Sequence, residues 1–306
     1  MDSDWLSRSC PNCKSSSIFE NPVVKSKRPA ESMKFFDVRE KFIGLREAQV
    51  FFTYFRCKHC GLLYAPRYFS ADQLAQLYGD MPDNLMGEDK ATISKTQSGY
   101  VKWLGRRLKA IDSFLEIGPD IGLVAAEMQK RYTLKNAVMI EPNRNVHHVL
   151  KENLSRTSIQ ILEHLSELEP GEKFDLIAGI HVYDHLLDPL TDLFKLREHA
   201  NKDGLLLIVV HDEKSLLSTI LQSKWPPYCL QHPQLYNAVT LEKLLNQAGW
   251  KLEYISKSTN WWHLDHFAIM GSKIAGIPSG FARFIPSLEV PMKLGNLIAT
   301  FRKVPL

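Results

Sequence analysis

The sequence predicts an α/β protein in which a mostly parallel sheet carries helices on both faces and follows a small β-rich unit. Three observations predict this. From Tyr100 onward, apolar runs of strand length alternate with amphipathic stretches of helical period. Four of the five cysteines fall into two identical pairs within the first fifth of the chain. A strand at 113–117 ends in a glycine-bearing turn that opens a helix, the arrangement by which open parallel sheets present a ligand-binding edge.

Composition sets the limits. With 306 residues, 44% hydrophobic and 24% charged, the chain is globular rather than disordered, fibrous or a disulfide-dense miniature, and long enough for one large domain or about two ordinary ones. The net charge of +4 is spread thinly, so there is no strong nucleic-acid signal. No uncharged apolar window reaches the roughly 18 residues of a spanning helix, so no transmembrane segment is expected. Met1-Asp2-Ser3-Asp4-Trp5 lacks the basic start and apolar run of a secretory signal, and a cytoplasmic protein is expected.

Residues 1–69 read as short apolar runs between polar punctuation. Gln49–Phe55 is aromatic and β-branched enough for a strand and leads into the second cysteine pair. Cys10-Pro-Asn-Cys13 and Cys57-Lys-His-Cys60 are two knuckles that direct four thiolates toward one Zn²⁺. Four sulfur ligands leave no position for water, so the predicted role is structural; a pair of redox dithiols is the less favoured reading. Lys25, Lys27 and Arg28 form a small basic cluster that a solvated loop explains.

Ser70 caps a helix through Tyr78, and 79–99, with Pro82, Asn84 and Gly87, is expected to be a linker or lid. The alternation then predicts helices at 100–108, 121–130, 143–152 and 190–200, with strands at 113–117, 136–140, 159–162, 174–180 and 204–210. Asn237 caps a helix that Gly249 stops, and 251–255 and 266–270 are the expected final strands of a domain spanning 100–273. The tail, 274–306, is expected to pack a helix whose face carries Leu294, Leu297, Ile298 and Phe301.

Phe114-Leu-Glu-Ile-Gly-Pro-Asp-Ile-Gly122 spaces its glycines as Gly-x-x-x-Gly, unlike the dinucleotide fingerprint. Asp120 would repel a pyrophosphate but tolerates a ligand bearing an ammonium and a sulfonium. Glu141, 25 residues after Glu116, ends the next strand, where a carboxylate accepts from ribose hydroxyls.

On these stretches, together with Met-Ile-Glu-Pro-Asn at 139–143, Phe-Asp-Leu-Ile-Ala at 174–178, His-Val-Tyr-Asp-His-Leu-Leu-Asp-Pro at 181–189 and Gly-Leu-Leu-Leu-Ile-Val-Val at 204–210, residues 100–273 resemble a class I S-adenosylmethionine-dependent methyltransferase. Cys-Lys-His-Cys-Gly-Leu-Leu-Tyr at 57–64 is similar to the zinc ribbon that precedes such domains in a bacterial group, and His232-Pro-Gln-Leu-Tyr-Asn237 is similar to the segment before their substrate-side helix. The resemblance implies a Rossmann-like, mostly parallel seven-stranded sheet and S-adenosyl-L-methionine as cofactor. It implies cofactor contacts from Tyr100, Glu116, Gly118, Pro119, Asp120, Gly122, Glu141, Pro142, Glu163 and His181, and a small-molecule or glycan acceptor. The chain departs from the group in carrying Asp120 at the loop's usual second glycine. The related sugar C-methyltransferases carry a further long C-terminal domain, for which this chain is expected to be too short, so C-methylation is disfavoured; O-methylation is expected, with N-methylation the less favoured alternative.

Transfer to a hydroxyl needs in-line approach and a base, and His181, Asp184 and His185 follow the fourth strand, which in this family borders the transferable methyl. His-Val-Tyr-Asp-His also approximates an inverted metalloprotease motif, but that motif needs a helix whereas this stretch leaves a strand. If the resemblance holds, His211 and Asp212 share this edge. Trp261, Trp262 and His263 are expected there from the turn between the last strands, and Trp225, Tyr228 and His232 from a lid, giving a pocket of rings and imidazoles suited to a sugar or aromatic acceptor. The competing expectation is a non-catalytic module that holds RNA or a protein partner; the lack of a basic stripe weighs against it.

Overall fold

The computed structural model describes residues 5–42, 50–79, 81, 89–154, 158–265, 269, 272 and 286–304. Six strands, β1 (Ser113–Ile117), β2 (Asn136–Ile140), β3 (Ile159–Leu162), β4 (Phe174–Ile180), β5 (Ala200–His211) and β6 (Trp250–Lys257), are followed by a hairpin of β7 (Asn260–His263) with β8 (Glu289–Met292), then by β9 (Asn296–Lys303). The main sheet has seven strands in the order β3-β2-β1-β4-β5-β9-β6, with only β9 running against its neighbours. Leu205 to Val210 of β5 is an unbroken buried apolar run, as a strand covered on both faces requires. The order reverses between β1 and β4, and there the carboxyl ends of the strands open a crevice.

Helices α1 (Ala71–Gly79), α2 (Lys90–Leu104), α3 (Leu123–Arg131), α4 (His147–Asn153), α5 (Pro189–Glu198), α6 (Leu216–Leu221) and α7 (Ala238–Gln247) follow in chain order. One sheet face packs Leu104, Met128 and Leu150 from α2, α3 and α4 against Phe114, Ala178 and Val209. The other packs Leu193 and Leu244 from α5 and α7, with Trp250, against Leu115, Ile177 and Ile208. The expected Asn237 cap is present, its side chain accepting from Val239 N and Thr240 N, and Gly249 follows the helix at φ 75°.

Three expectations change. The helix expected at 100–108 starts at Lys90, capped by Asp89, so 89–99 belongs to it rather than to a linker. Its buried face begins with Thr92 and Thr96, which a search for large apolar residues passes over. The tail forms β9, not a helix: consecutive residues Leu297 to Phe301 are all buried, so both faces of a strand carry them. Leu294, Leu297, Ile298 and Phe301 satisfy a helical spacing only because a continuous apolar run satisfies every spacing. The strand expected at 266–270 lies, position 269 apart, outside the described residues.

The cysteine-bearing segment is joined to this domain by backbone pairing. Phe55–Arg56 pairs with Leu63–Tyr64, and Gln234–Leu235, far along the chain, adds the third strand. The strand expected over 49–55 is therefore split, Val50–Phe51 pairing separately with Arg28–Pro29. Asn12 Nδ2 donates to Thr240 O at 2.9 Å, and Arg56 grips Glu213 through both guanidinium nitrogens. No helix among the described residues is long and apolar enough to cross a membrane.

Candidate active site and metal centre

The two cysteine knuckles have matched geometry. Lys14 N donates to Cys10 O and Gly61 N to Cys57 O, and the donors Lys14 and Gly61 both have left-handed backbones, φ 58° and 84°. The turns bring Cys10 Sγ within 3.4 Å of Cys60 Sγ and Cys13 Sγ within 3.5 Å of Cys57 Sγ, all four sulfurs lying within 4.8 Å of one another. A tetrahedron with zinc–sulfur bonds of about 2.3 Å has edges of about 3.8 Å, so the donor set fits Zn²⁺.

At the switch point the turn after β1 is compact. Gly118 (φ 61°) donates to Ile140 O, and Gly122 N donates to Pro119 O before capping α3 at φ 75°. A side chain at Gly118 would place its Cβ 2.9 Å from Val182 Cγ2. Asp120 keeps the left-handed backbone at φ 51°, which Asp tolerates better than most residues. Glu141, leaving β2, accepts from Asp120 N and Asn143 N, both at 2.9 Å, and so ties the first two turns together.

These turns border a cavity of about 500 Å³ whose wall includes Gly118, Glu141, Pro142, Glu163, His181 and His185. Beyond His181, four imidazoles gather: ring centroids lie 4.6 Å apart for His181 and His211, 5.0 Å for His211 and His232, and 4.6 Å for His185 and His232. Asn296 of β9, opposite His211 in register, meets His211 Nδ1 at 2.9 Å and His181 Nε2 at 3.4 Å. His185 Nδ1 meets Tyr78 Oη at 3.1 Å, and the fully buried Asp184 accepts from His211 N at 3.0 Å.

Comparison with known proteins decides the family. A family model described as a methyltransferase domain matches residues 90–255, more than half of the chain. The chain belongs to this methyltransferase family. Among solved structures, a chain of the complex between the Haloferax volcanii Trm112 methyltransferase activator and a candidate methyltransferase superposes with a TM-score of 0.55 at 11% identity, covering 76% of this chain and 97% of that one. The N-methyltransferase NodS from Bradyrhizobium japonicum WM9, in complex with S-adenosyl-l-homocysteine, gives 0.50 at 14% identity, covering 76% and 98%. These likenesses show the shared fold. A search of curated proteins finds no match.

The enzyme is thus an S-adenosylmethionine-dependent methyltransferase. Burial pushes the Glu116 carboxyl up to about 8, and its Oε2 has no partner among the described residues. Glu163, on the cavity wall, is held by Arg144 at 2.7 Å. Burial, reinforced for His181 by the neighbouring His232, pushes His181 and His232 down to about 4; it also holds His185 and His211 well below the usual imidazole range. The same loss of water holds Asp184 well above the usual carboxylate range.

The expected residues separate into two groups. Pro119, Asp120 and Gly122 form the turn beside the cavity, whereas Tyr100 is buried on α2 with its hydroxyl 3.4 Å from Asn260 Oδ1, outside the cavity wall. Tyr228 packs on Trp225, which stands edge-on to His211. Trp261 and His263 were expected at the acceptor pocket but dock on α2: Trp261 N donates to Thr96 Oγ1 at 2.8 Å, and His263 Nε2 meets Asp89 at 2.5 Å. The reason is β9, which takes the sheet position beside β5 and leaves the β7–β8 hairpin to cover the helix. Asn296 and Tyr78 escaped the sequence reading. Asn296 lay in the unmatched tail, and Tyr78 enters only as the end of the helix that Ser70 caps.

Proposed function

We propose that this enzyme methylates a hydroxyl oxygen of a small-molecule or glycan acceptor, with the cofactor in the 500 Å³ cavity and the acceptor on the imidazole side of His181. The observation that carries the proposal is the chain of four buried imidazoles, His181, His211, His232 and His185, whose two ends line that cavity. In this reading Glu141 takes the ribose hydroxyls, Gly118 lets the backbone approach, and Glu116 and Asp120 face the cationic end. S-adenosylmethionine supplies an electrophilic methyl on a sulfonium.

His185 is the proposed base, its Nδ1 fixed by Tyr78 and its other nitrogen left to take the acceptor's proton. The acceptor oxygen then attacks the methyl carbon, and the carbon–sulfur pair leaves with sulfur. The positive charge lost at sulfur is regained on the imidazole, so the buried pocket keeps its net charge through the step. That conservation matters because changing the charge of a dry cavity costs several kcal/mol. Asp184 and Asn296 act as positioning residues for His211 and His181.

The four cysteines are proposed to hold one structural Zn²⁺, and the ribbon, 1–69, to wall the acceptor side rather than to form an independent module. Tyr54 Oη donates to His232 O at 2.5 Å, and Ala65 N to Pro233 O at 2.9 Å, so the ribbon sets the height of His232. The test is a panel of hydroxyl, amine and carbon acceptors assayed for S-adenosylhomocysteine release by zinc-loaded protein. Turnover confined to hydroxyl acceptors and lost in His185→Ala is expected; turnover only with amines or carbon acids overturns the reading.

A further inference from the structure

We propose that His181, Asp184 and His211 form a second metal site, distinct from the ribbon's, for a divalent transition-metal ion that binds two oxygens of the acceptor. The inference rests on the methyltransferase reading above and adds what holds the acceptor. One ligand atom from each residue lies within 4.8 Å of the others. A point therefore exists within about 2.8 Å of all three, against metal–ligand bonds of about 2.1 Å, so a shift of under about 1 Å per side chain closes the site.

Three features separate this cluster from a chance meeting of polar groups. Asp184 is fully buried, yet its Oδ1 has no partner among the described residues, and neither has His181 Nδ1. An orphaned buried carboxylate oxygen is costly and rare, and a cation is a partner that Asp184 Oδ1 can take. Next, Asn296 Oδ1 accepts from His211 Nδ1, which leaves His211 Nε2 unprotonated, as in metal-bound histidines; Asn296 Nδ2 donates to His181 Nε2 at 3.4 Å, a contact that His181 gives up to ligate through Nδ1. Last, two imidazoles and one carboxylate on one side of an ion leave positions open opposite, the donor set that suits Fe²⁺, Co²⁺, Ni²⁺ or Zn²⁺ rather than Mg²⁺ or Ca²⁺.

The ligands come from the end of β4, the turn after it and the end of β5. The helical His-x-x-Asp-His reading is therefore not revived: His185 turns to Tyr78, and His211 takes its place. The open positions lie beside the proposed methyl. They suit a bidentate oxygen pair, a vicinal diol or hydroxy-carbonyl, whose O–H a bound cation acidifies, easing loss of its proton to His185.

The test uses the full chain with zinc in its ribbon and Co²⁺ as probe. Calorimetry and visible absorption should report one further equivalent of Co²⁺ with nitrogen–oxygen ligation and no thiolate band. Asp184→Asn, which keeps an acceptor for His211 N, and His211→Asn should weaken binding by at least about tenfold, whereas His185→Asn should not. Absence of a second equivalent, or equal affinity in all variants, overturns the proposal. S-adenosylhomocysteine titrated in parallel separates the two readings: its binding without Co²⁺ binding refutes the metal alone, and its failure to bind refutes the methyltransferase site.

Discussion

The two sides of His181 are built in opposite ways. On the proposed cofactor side, the turn at 117–122 and the turn at 140–143 each follow directly from their own strand; left-handed residues shape the first, and the Glu141 carboxylate, accepting from Asp120 N and Asn143 N, ties the two together. On the other side, the imidazoles come from 181–185, 211 and 232, and their anchors from 78 and 296. Sheet register and the ribbon bring these separate segments together. The difference teaches that a fold can conserve a cofactor cradle as a short segment while assembling the acceptor site from the whole chain.

The largest expected effect breaks the first side alone. Gly118→Arg forces a side chain onto a left-handed backbone and into Val182, and calorimetry should find no S-adenosylhomocysteine binding. Retained binding would mean that the cradle lies elsewhere. On the second side, His185→Ala should lower kcat by about 10²- to 10⁴-fold while the affinity for S-adenosylhomocysteine stays unchanged. A matching loss of cofactor affinity would erase the division between the sides.

Acid should separate the sides further. Unfolded imidazoles titrate near 6.5, but His181 and His232 do so at about 4 in the folded enzyme. Between those values the unfolded chain binds more protons at these two sites, so their contribution to stability is full above about pH 6.5 and falls as pH drops toward 4. Melting curves should show His232→Gln losing less than the parent between pH 7 and 5. Glu116, on the cofactor side, has the opposite sign: with a folded value of about 8 against 4.5, it costs stability as pH rises through that window. Glu116→Gln should therefore raise the melting temperature more at pH 8 than at pH 5.

The smallest effect concerns the ribbon. Tyr54→Phe removes the bond to His232 O and should cost about 0.5–1.5 kcal/mol in denaturant unfolding, with a change in acceptor KM larger than any in cofactor affinity. Zinc chelation should lower thermal stability more than this, because it releases both knuckles at once.

Legibility in the sequence follows the same division. The cysteine knuckles, the Gly118 turn and Glu141 could be read because their chemistry sits within a few residues of a strand end. Thr92 and Thr96 hid the start of α2, since small polar residues on a buried face carry no apolar signal. β9 hid in the tail because a fully buried strand has no alternation, and with it hid Asn296. Trp261 and His263 were expected at the acceptor edge because 251–255 and 266–270 were the expected final strands, whereas the strand beside β5 is β9, far along the tail. For β9, Asn296, Trp261 and His263 the missing information was sheet order and register.

A crystal structure with S-adenosylhomocysteine bound tests the central claim most directly. The account predicts sulfur against His181, with the imidazoles of His185, His211 and His232 on the far side facing the acceptor space. Sulfur seated away from His181, with the imidazole cluster sealed from the cofactor, would contradict it.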